Sequence, residues 1–332
     1  MDRMNEILQD SSPEATLFEP DREEVTDDHE LAEVASTIKN LDPTGERWSK
    51  VIRHTYDMLY NGQETGRYKW DQLMKTEKTH FGTLFEINAQ REFEFAGGKE
   101  TDYRIAGHQV DAKWSQSEGG WMLPPEVFDR LALVGTGDDA NAEWSLGLIR
   151  VTEDVRREGG NRDRKSQLTA EGRKAITWLW RNADLPPNIL LQLDEESVAE
   201  IFKLRSGSQR TNALFRAAEG KLVHRNAVAT VSRQLDHQKR VRYNGGARSA
   251  LQPEGIIILS GVWERQKVIA NELEVDVPGR DQYVSVRVVP AEIGEKGSYI
   301  SGSRWRRANP DEPSTVAAPR IDDGGPKQTA ES

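Results

Sequence analysis

"TDYRIAGHQVDAKWS" (residues 101–115) places two acids and a lysine on what reads as a two-stranded ribbon around an Ala106–Gly107 turn. Side chains alternate faces along a strand, so Asp111 and Lys113, two residues apart, point the same way. If "TDYRI" pairs with "HQVDAKWS", Asp102 comes near Asp111 across the ribbon. Two carboxylates so placed repel each other unless a cation lies between them. Mg²⁺ suits that role, because it takes carboxylate oxygens and keeps waters for a substrate. A lysine beside the ion can stabilise charge on an attacking water or on a phosphate. A solvated hairpin with cross-strand charge pairs has the same local spacing, so the ribbon alone leaves both readings open. Glu86, between Phe85 and Ile87 on the preceding helical stretch, is either a third member of the cluster or a surface glutamate paired with a base.

The rest of the composition narrows the class. At 332 residues the chain has room for two cores. No window approaches the ~18 consecutive apolar residues that span a bilayer. "MDRMNEILQDSSPEATLFEP" (1–20) lacks the basic and apolar regions of a secretory signal. The absence of cysteine excludes disulfides, thiolate zinc sites and thiol catalysis, and fits a cytoplasmic location. Six scattered histidines show no H-x-x-x-H spacing, and His80 and His108 receive no role. The glycine pairs form no Walker or Rossmann fingerprint, so no nucleotide cofactor is expected.

A net charge of −10 looks unfavourable for a polyanion partner, but its distribution reverses that impression. Residues 1–30 hold 11 acids against 2 bases and are expected to be a disordered extension. Residues 203–248 hold 11 bases against only Glu219 and Asp236. Such a local excess is what a phosphate-binding surface needs.

Apolar spacing predicts helices over 31–61, split by "DPTG", and a third over 79–96. "AEWSLGLIRVTE" (142–153) reads as a strand and "LTAEGRKAITWLWRN" (168–182) as a helix with a Thr cap. "ADLPPN" (183–188) is the expected linker between a unit at 31–182 and one at 189–307, with a disordered tail at 308–332. In the second unit, "DEESVAEIFKL", "RTNALFRAAE" and "RNAVATVSRQLDHQKRV" read as three helices. "PEGIIIL" and "QYVSVRVVPA" read as strands. Helices followed by a strand pair suggest a helix-turn-helix module with a wing. Its expected DNA contacts are Arg225, Arg233, Lys239, Arg240, Arg242 and Arg248. A solvated basic face is the alternative. "LYNG" (59–62) has Leu59 and Asn61 where a nucleotidyl-transferring K-x-D-G would have Lys and Asp, so no adenylate forms there.

"LYNGQETGRYKWDQLMKTEKTHFGTLFEINAQREFEF", "ETDYRIAGHQVDAKWS", "GGWMLPPE" and "GGARSALQPEGIIIL" resemble the NaeI family of type IIE restriction endonucleases over about residues 31–307. The resemblance implies an α/β (α+β) chain. Its first unit would be a PD-(D/E)xK nuclease with a mixed sheet flanked by helices, similar to the mismatch-repair nicking enzyme MutH. Its second would be a winged-helix-like DNA-binding unit. Residue by residue it assigns catalysis to Glu86, Asp102, Asp111 and Lys113. Asp102 and Asp111 would hold Mg²⁺, with Glu86 assisting through water, and Ala112 would offer its carbonyl. It further implies a homodimer cutting double-stranded DNA at a GC-rich palindrome such as GCCGGC to leave 5′ phosphates, activated by a second DNA copy on the C-terminal unit. A cognate DNA methyltransferase would be its functional companion, and no membrane is involved. A strand-nicking repair enzyme and a DNA-binding regulator that keeps a nuclease fold remain as alternatives.

Overall fold

A computed structural model describes residues 28–157 and 164–321. The acidic extension therefore lies outside the described residues except for Asp28, His29 and Glu30. Asp28 caps α1 (His29–Leu41), accepting from Leu31 N at 3.0 Å, so the first helix begins at its own N-cap acid. In the "DPTG" turn, buried Asp42 accepts from Gly45 N and Trp48 N at 3.1 and 3.0 Å, which fixes the entry to α2 (Glu46–Tyr60). A short α3 (Gly62–Thr65) follows. α4 (Lys75–Phe93) starts where Glu77 accepts from Met74 N at 2.9 Å. It begins four residues earlier than its apolar spacing suggests, because this first turn is polar.

Six strands form one sheet: β1 (Ala96–Gly97), β2 (Tyr103–Ile105), β3 (His108–Ser115), β4 (Leu131–Asp138), β5 (Glu143–Arg150) and β6 (Thr177–Asp184), in sequence order. Only β3–β4 is parallel, which makes the sheet mixed. Val110, Ala112 and Trp114 belong to a core built on α2 and α4, where Trp114 stacks on Phe81 with centroids 4.7 Å apart. Trp121, Leu123, Ala132, Val134 and Ile149 form the second core on the opposite face.

The helix expected over 168–182 is corrected to α5 (Ala170–Lys174) followed by β6. Thr169 does cap a helical turn, accepting from Gly172 N at 2.8 Å. Beyond it, the "ITWLW" run satisfies its backbone against β5 instead. Register shifts on β5 let adjacent Leu179 and Trp180 both be buried, and that breaks the two-residue alternation a strand should show. The linker narrows correspondingly: Ala183 and Asp184 are strand, and Leu185 is buried in the first core.

The second unit begins with α6 (Ile189–Gln192), α7 (Glu195–Lys203) and α8 (Gly207–Ala217), the last two capped by Asp194 and Ser206. β7 (Leu222–His224) leads into α9 (Arg225–Ser232), and α10 (Ala247–Leu251) follows. α9 ends earlier than expected, with Arg233 at φ 52°. The expected strands are β8 (Ile256–Ser260) and β9 (Gln282–Pro290), which pair antiparallel. They are joined by α11 (Glu264–Glu272), and β8 is buried throughout, so the pair is sheet core rather than a projecting hairpin. A further hairpin, β10 (Ser298–Ile300) with β11 (Ser303–Arg307), extends the sheet beside β9, burying Ile300 and Trp305 and exposing Tyr299. The tail expected from 308 is ordered as far as residue 321. Ala318 and Ile321 are buried, and Ala318 N donates to Gln252 O at 2.8 Å. Residues 322–332 lie outside the described residues. No described helix is long and apolar enough to cross a membrane.

Candidate active site

The ribbon forms as its sequence suggests: Tyr103 pairs with Val110, Arg104 with Gln109 and Ile105 with His108. Ala106 and Gly107 take φ of 51° and 88°, the doubly left-handed turn that matches strand twist. Continuing the register brings Asp102 beside Asp111. Asp102 Oδ2 accepts from Ala112 N at 2.7 Å. That bond holds the carboxylate against β3, although residue 102 is itself outside the strand.

Lys113 closes the group. Its ammonium is in ion-pair contact with Asp111 Oδ2, lies 4.0 Å from Asp102 Oδ2 and donates to Ala112 O at 3.1 Å. Two carboxylates and a peptide carbonyl thus converge on one cation. Asp111 Oδ2 is buried and, despite that ion pair, receives no well-aligned hydrogen bond. Hard oxygen donors of this kind suit Mg²⁺. Among the described residues, no three His, Asp or Glu side chains form a metal cage by themselves.

Glu86 reaches the cluster from α4, which Tyr103 pins to β2 by donating from its hydroxyl to Glu86 O at 2.8 Å. Burial, followed by the charge of Asp102 and direct hydrogen bonding to its carboxyl, pushes Glu86 up to about 7. Asp111 is pushed up to about 6 by burial; Lys113 opposes the rise, while Asp102 and Glu126 add to it. Glu126, on the turn Pro125–Val127, is an acid the sequence reading gave no role. Its signal was the acid at the end of "MLPPE", but only the fold brings that turn within electrostatic range of Asp111.

The basic residues of the second unit are brought together only in part. Arg233, Lys239, Arg240 and Arg242 follow one another along the end of α9 and the turn after it. Lys239 and Arg240 pair with Asp236 at 3.1 and 3.7 Å, and Arg242 is exposed. Arg225, at the other end of α9, pairs with Asp281 at 2.9 Å. Arg248 is corrected: it is 7% exposed, donates to Gln266 Oε1 at 2.9 Å and lies over the Tyr243 ring. Its guanidinium ties α10 to Gln266 of α11, whose Oε1 also accepts from Ser260 N of β8 at 2.7 Å, and does not face solvent. Arg210, unassigned from sequence, caps the end of α9 by donating to Ser232 O at 3.0 Å.

A mixed sheet flanked by helices, with an acid pair and a lysine at its parallel strand pair, is the architecture of a restriction-endonuclease-like protein. The chain belongs to the NaeI restriction endonuclease family, which matches residues 32–316. Type II restriction enzyme NaeI of Lentzea aerocolonigenes is 46% identical to it over 313 residues, covering 92% of this chain and 96% of that protein.

Proposed function

We propose that this chain is a type II, site-specific endonuclease that hydrolyses phosphodiester bonds in double-stranded DNA. The observation that carries the reading is the convergence of Asp102 Oδ2, Asp111 Oδ2 and Ala112 O on the Lys113 ammonium. Asp102 and Asp111 with the Ala112 carbonyl would hold Mg²⁺, and Glu86 would assist from outside that set. When bound, the ion supplies Lewis-acid polarisation of the phosphate and a water of lowered pKa. Lys113 directs its ammonium at charge growing on the phosphoryl oxygens or the attacking water. The water oxygen bonds to phosphorus as the bond to the 3′ oxygen breaks, leaving a 5′ phosphate. Palindromic cutting calls for two such centres, hence a homodimer. A cytoplasmic location and a cognate methyltransferase complete the proposal.

The C-terminal unit is proposed to bind a second DNA copy that activates cleavage. Its winged-helix-like role is supported by the cations from Arg233 to Arg242 along the end of α9. The test is digestion of a plasmid library with Mg²⁺ and with a chelator. Discrete double-strand fragments that require the cation are expected. Nicked circles alone would favour the strand-nicking alternative, and no cleavage would remove the enzyme reading.

A pH profile follows from the site. Asp111 near 6 and Glu86 near 7 both stand above ordinary carboxylates, and only their ionised forms favour a cation. At subsaturating Mg²⁺ the single-turnover rate is expected to climb as pH rises through about 6 to 7. Raising Mg²⁺ should move that limb to lower pH, because the ion competes with protons. A profile flat down to pH values near the ordinary carboxylate range of ~4 would contradict it.

A further inference from the structure

The Leu59–Gly62 run, to which the sequence assigned no chemistry, lies where the two units meet. Gly62 opens α3 directly against α9: a Cβ there would clash with Thr230 Oγ1. Asn226, in the first turn of α9, donates from Nδ2 to Asp57 Oδ2 at 2.6 Å. At the other end of α9, Arg233 Nη2 donates to Glu64 O at 3.0 Å. Both ends of the helix are therefore held to α2 and α3.

The same corner holds the helix that carries Glu86. Asn88, two residues further along α4, donates from Nδ2 to Thr55 Oγ1 of α2 at 3.1 Å, and both residues are buried. Arg67, just past α3, donates to both carboxylate oxygens of Glu77 at 2.9 and 2.7 Å and so fixes the start of α4. Asp57 also pairs at 3.0 Å with Arg53, which is in ion-pair contact with Asp139 beyond the end of β4. Close-packed helices shift as units rather than deforming continuously. A displacement of α9 is thus passed to α2–α3 and from there to α4.

We propose that Asp57, Asn226 and Gly62 are positioning residues through which DNA on the C-terminal unit sets the placement of Glu86. This rests on the reading of that unit as a second-DNA site. None of the three touches a reacting atom. The contact between units combines these hydrogen bonds with the stacking of Tyr68 on Phe202, ring centroids 5.6 Å apart. Any part of this coupling that acts on affinity is reciprocal, so substrate at the nuclease centre then raises affinity for the second duplex by the factor by which that duplex raises affinity for substrate.

The test uses the full chain, a plasmid that it cuts, and a short duplex with the mapped site and phosphorothioates at the scissile bonds. In the wild type, added duplex should speed plasmid cleavage by roughly 5- to 150-fold, the usual span of such coupling. Asn226→Ala and Gly62→Ala should bind the duplex and keep the unstimulated rate, yet show stimulation reduced to within about twofold. A role confined to stability would lower the unfolding temperature and leave the stimulation ratio intact, so both are measured. Asp57→Asn, which keeps the side-chain shape, serves if Gly62→Ala fails to fold. Variants stimulated like the wild type overturn the proposal. A wild type that is not stimulated overturns the second-DNA reading and this proposal with it.

Discussion

Asp111→Asn is expected to lower the single-turnover cleavage rate by about 10³-fold while leaving the fold as stable as the wild type, or more so, at pH 8. The loss comes from removing an anionic donor that faces Lys113 and replacing it with a neutral amide of the same shape. The stability expectation comes from the raised carboxyl. Asp111 stands near 6 in the fold against 3.8 for the free side chain, mainly through burial. The folded state thus holds this proton more tightly than the unfolded chain does. Its favourable contribution is complete below about 3.8 and is lost as pH rises through about 6. At pH 8 the ionised group therefore costs the fold on the order of 3 kcal/mol, which asparagine avoids. Thermal unfolding at pH 5 and 8 beside the cleavage assay separates the two effects. A variant that melts well below the wild type at pH 8 would give Asp111 a structural role instead.

Arg53→Leu should be the most damaging substitution away from the site, at about 3–5 kcal/mol. Arg53 is 7% exposed and grips Asp139, itself 6% exposed, while also pairing with Asp57 at 3.0 Å. The Tyr60 hydroxyl donates to the same Asp139 carboxylate at 2.6 Å. Leucine at position 53 leaves that carboxylate buried with one neutral donor. Arg53→Leu combined with Asp139→Leu should recover a large part of the loss, because both charges leave together. Denaturant unfolding of the single and double variants measures this. A single variant within about 1 kcal/mol of the wild type would mean that solvent screens the pair as it does at a surface.

The ribbon was readable because its information is local. A Gly turn with alternating side chains fixes which residues face each other, and Asp102, Asp111 and Lys113 meet as that register requires. The Thr169 cap was readable for the same reason, and it does start a helical turn. β6 was not, because irregular pairing with β5 gives Leu179 and Trp180 a burial pattern that passes for a helix. The basic run showed its charge but not its directions: Arg242 is exposed, whereas Arg248 turns inward to Gln266. Charge counting cannot separate the two, since burial depends on where α10 and β8 pack. The tail looked solvated from its prolines and acids, yet Ala318 and Ile321 fill a core assembled from distant segments.

The sequence by itself determined that Asp102, Asp111 and Lys113 meet on the ribbon, because strand alternation and turn geometry act over a few residues. Tertiary structure alone decided that Glu126 lies within electrostatic range of Asp111, and that burial beside other acids pushes Glu86 and Asp111 upward. It also decided that Asn226 meets Asp57 across 169 positions of chain. Desolvation and charge–charge energies depend on three-dimensional distance and burial, and neither is encoded in any short window of residues.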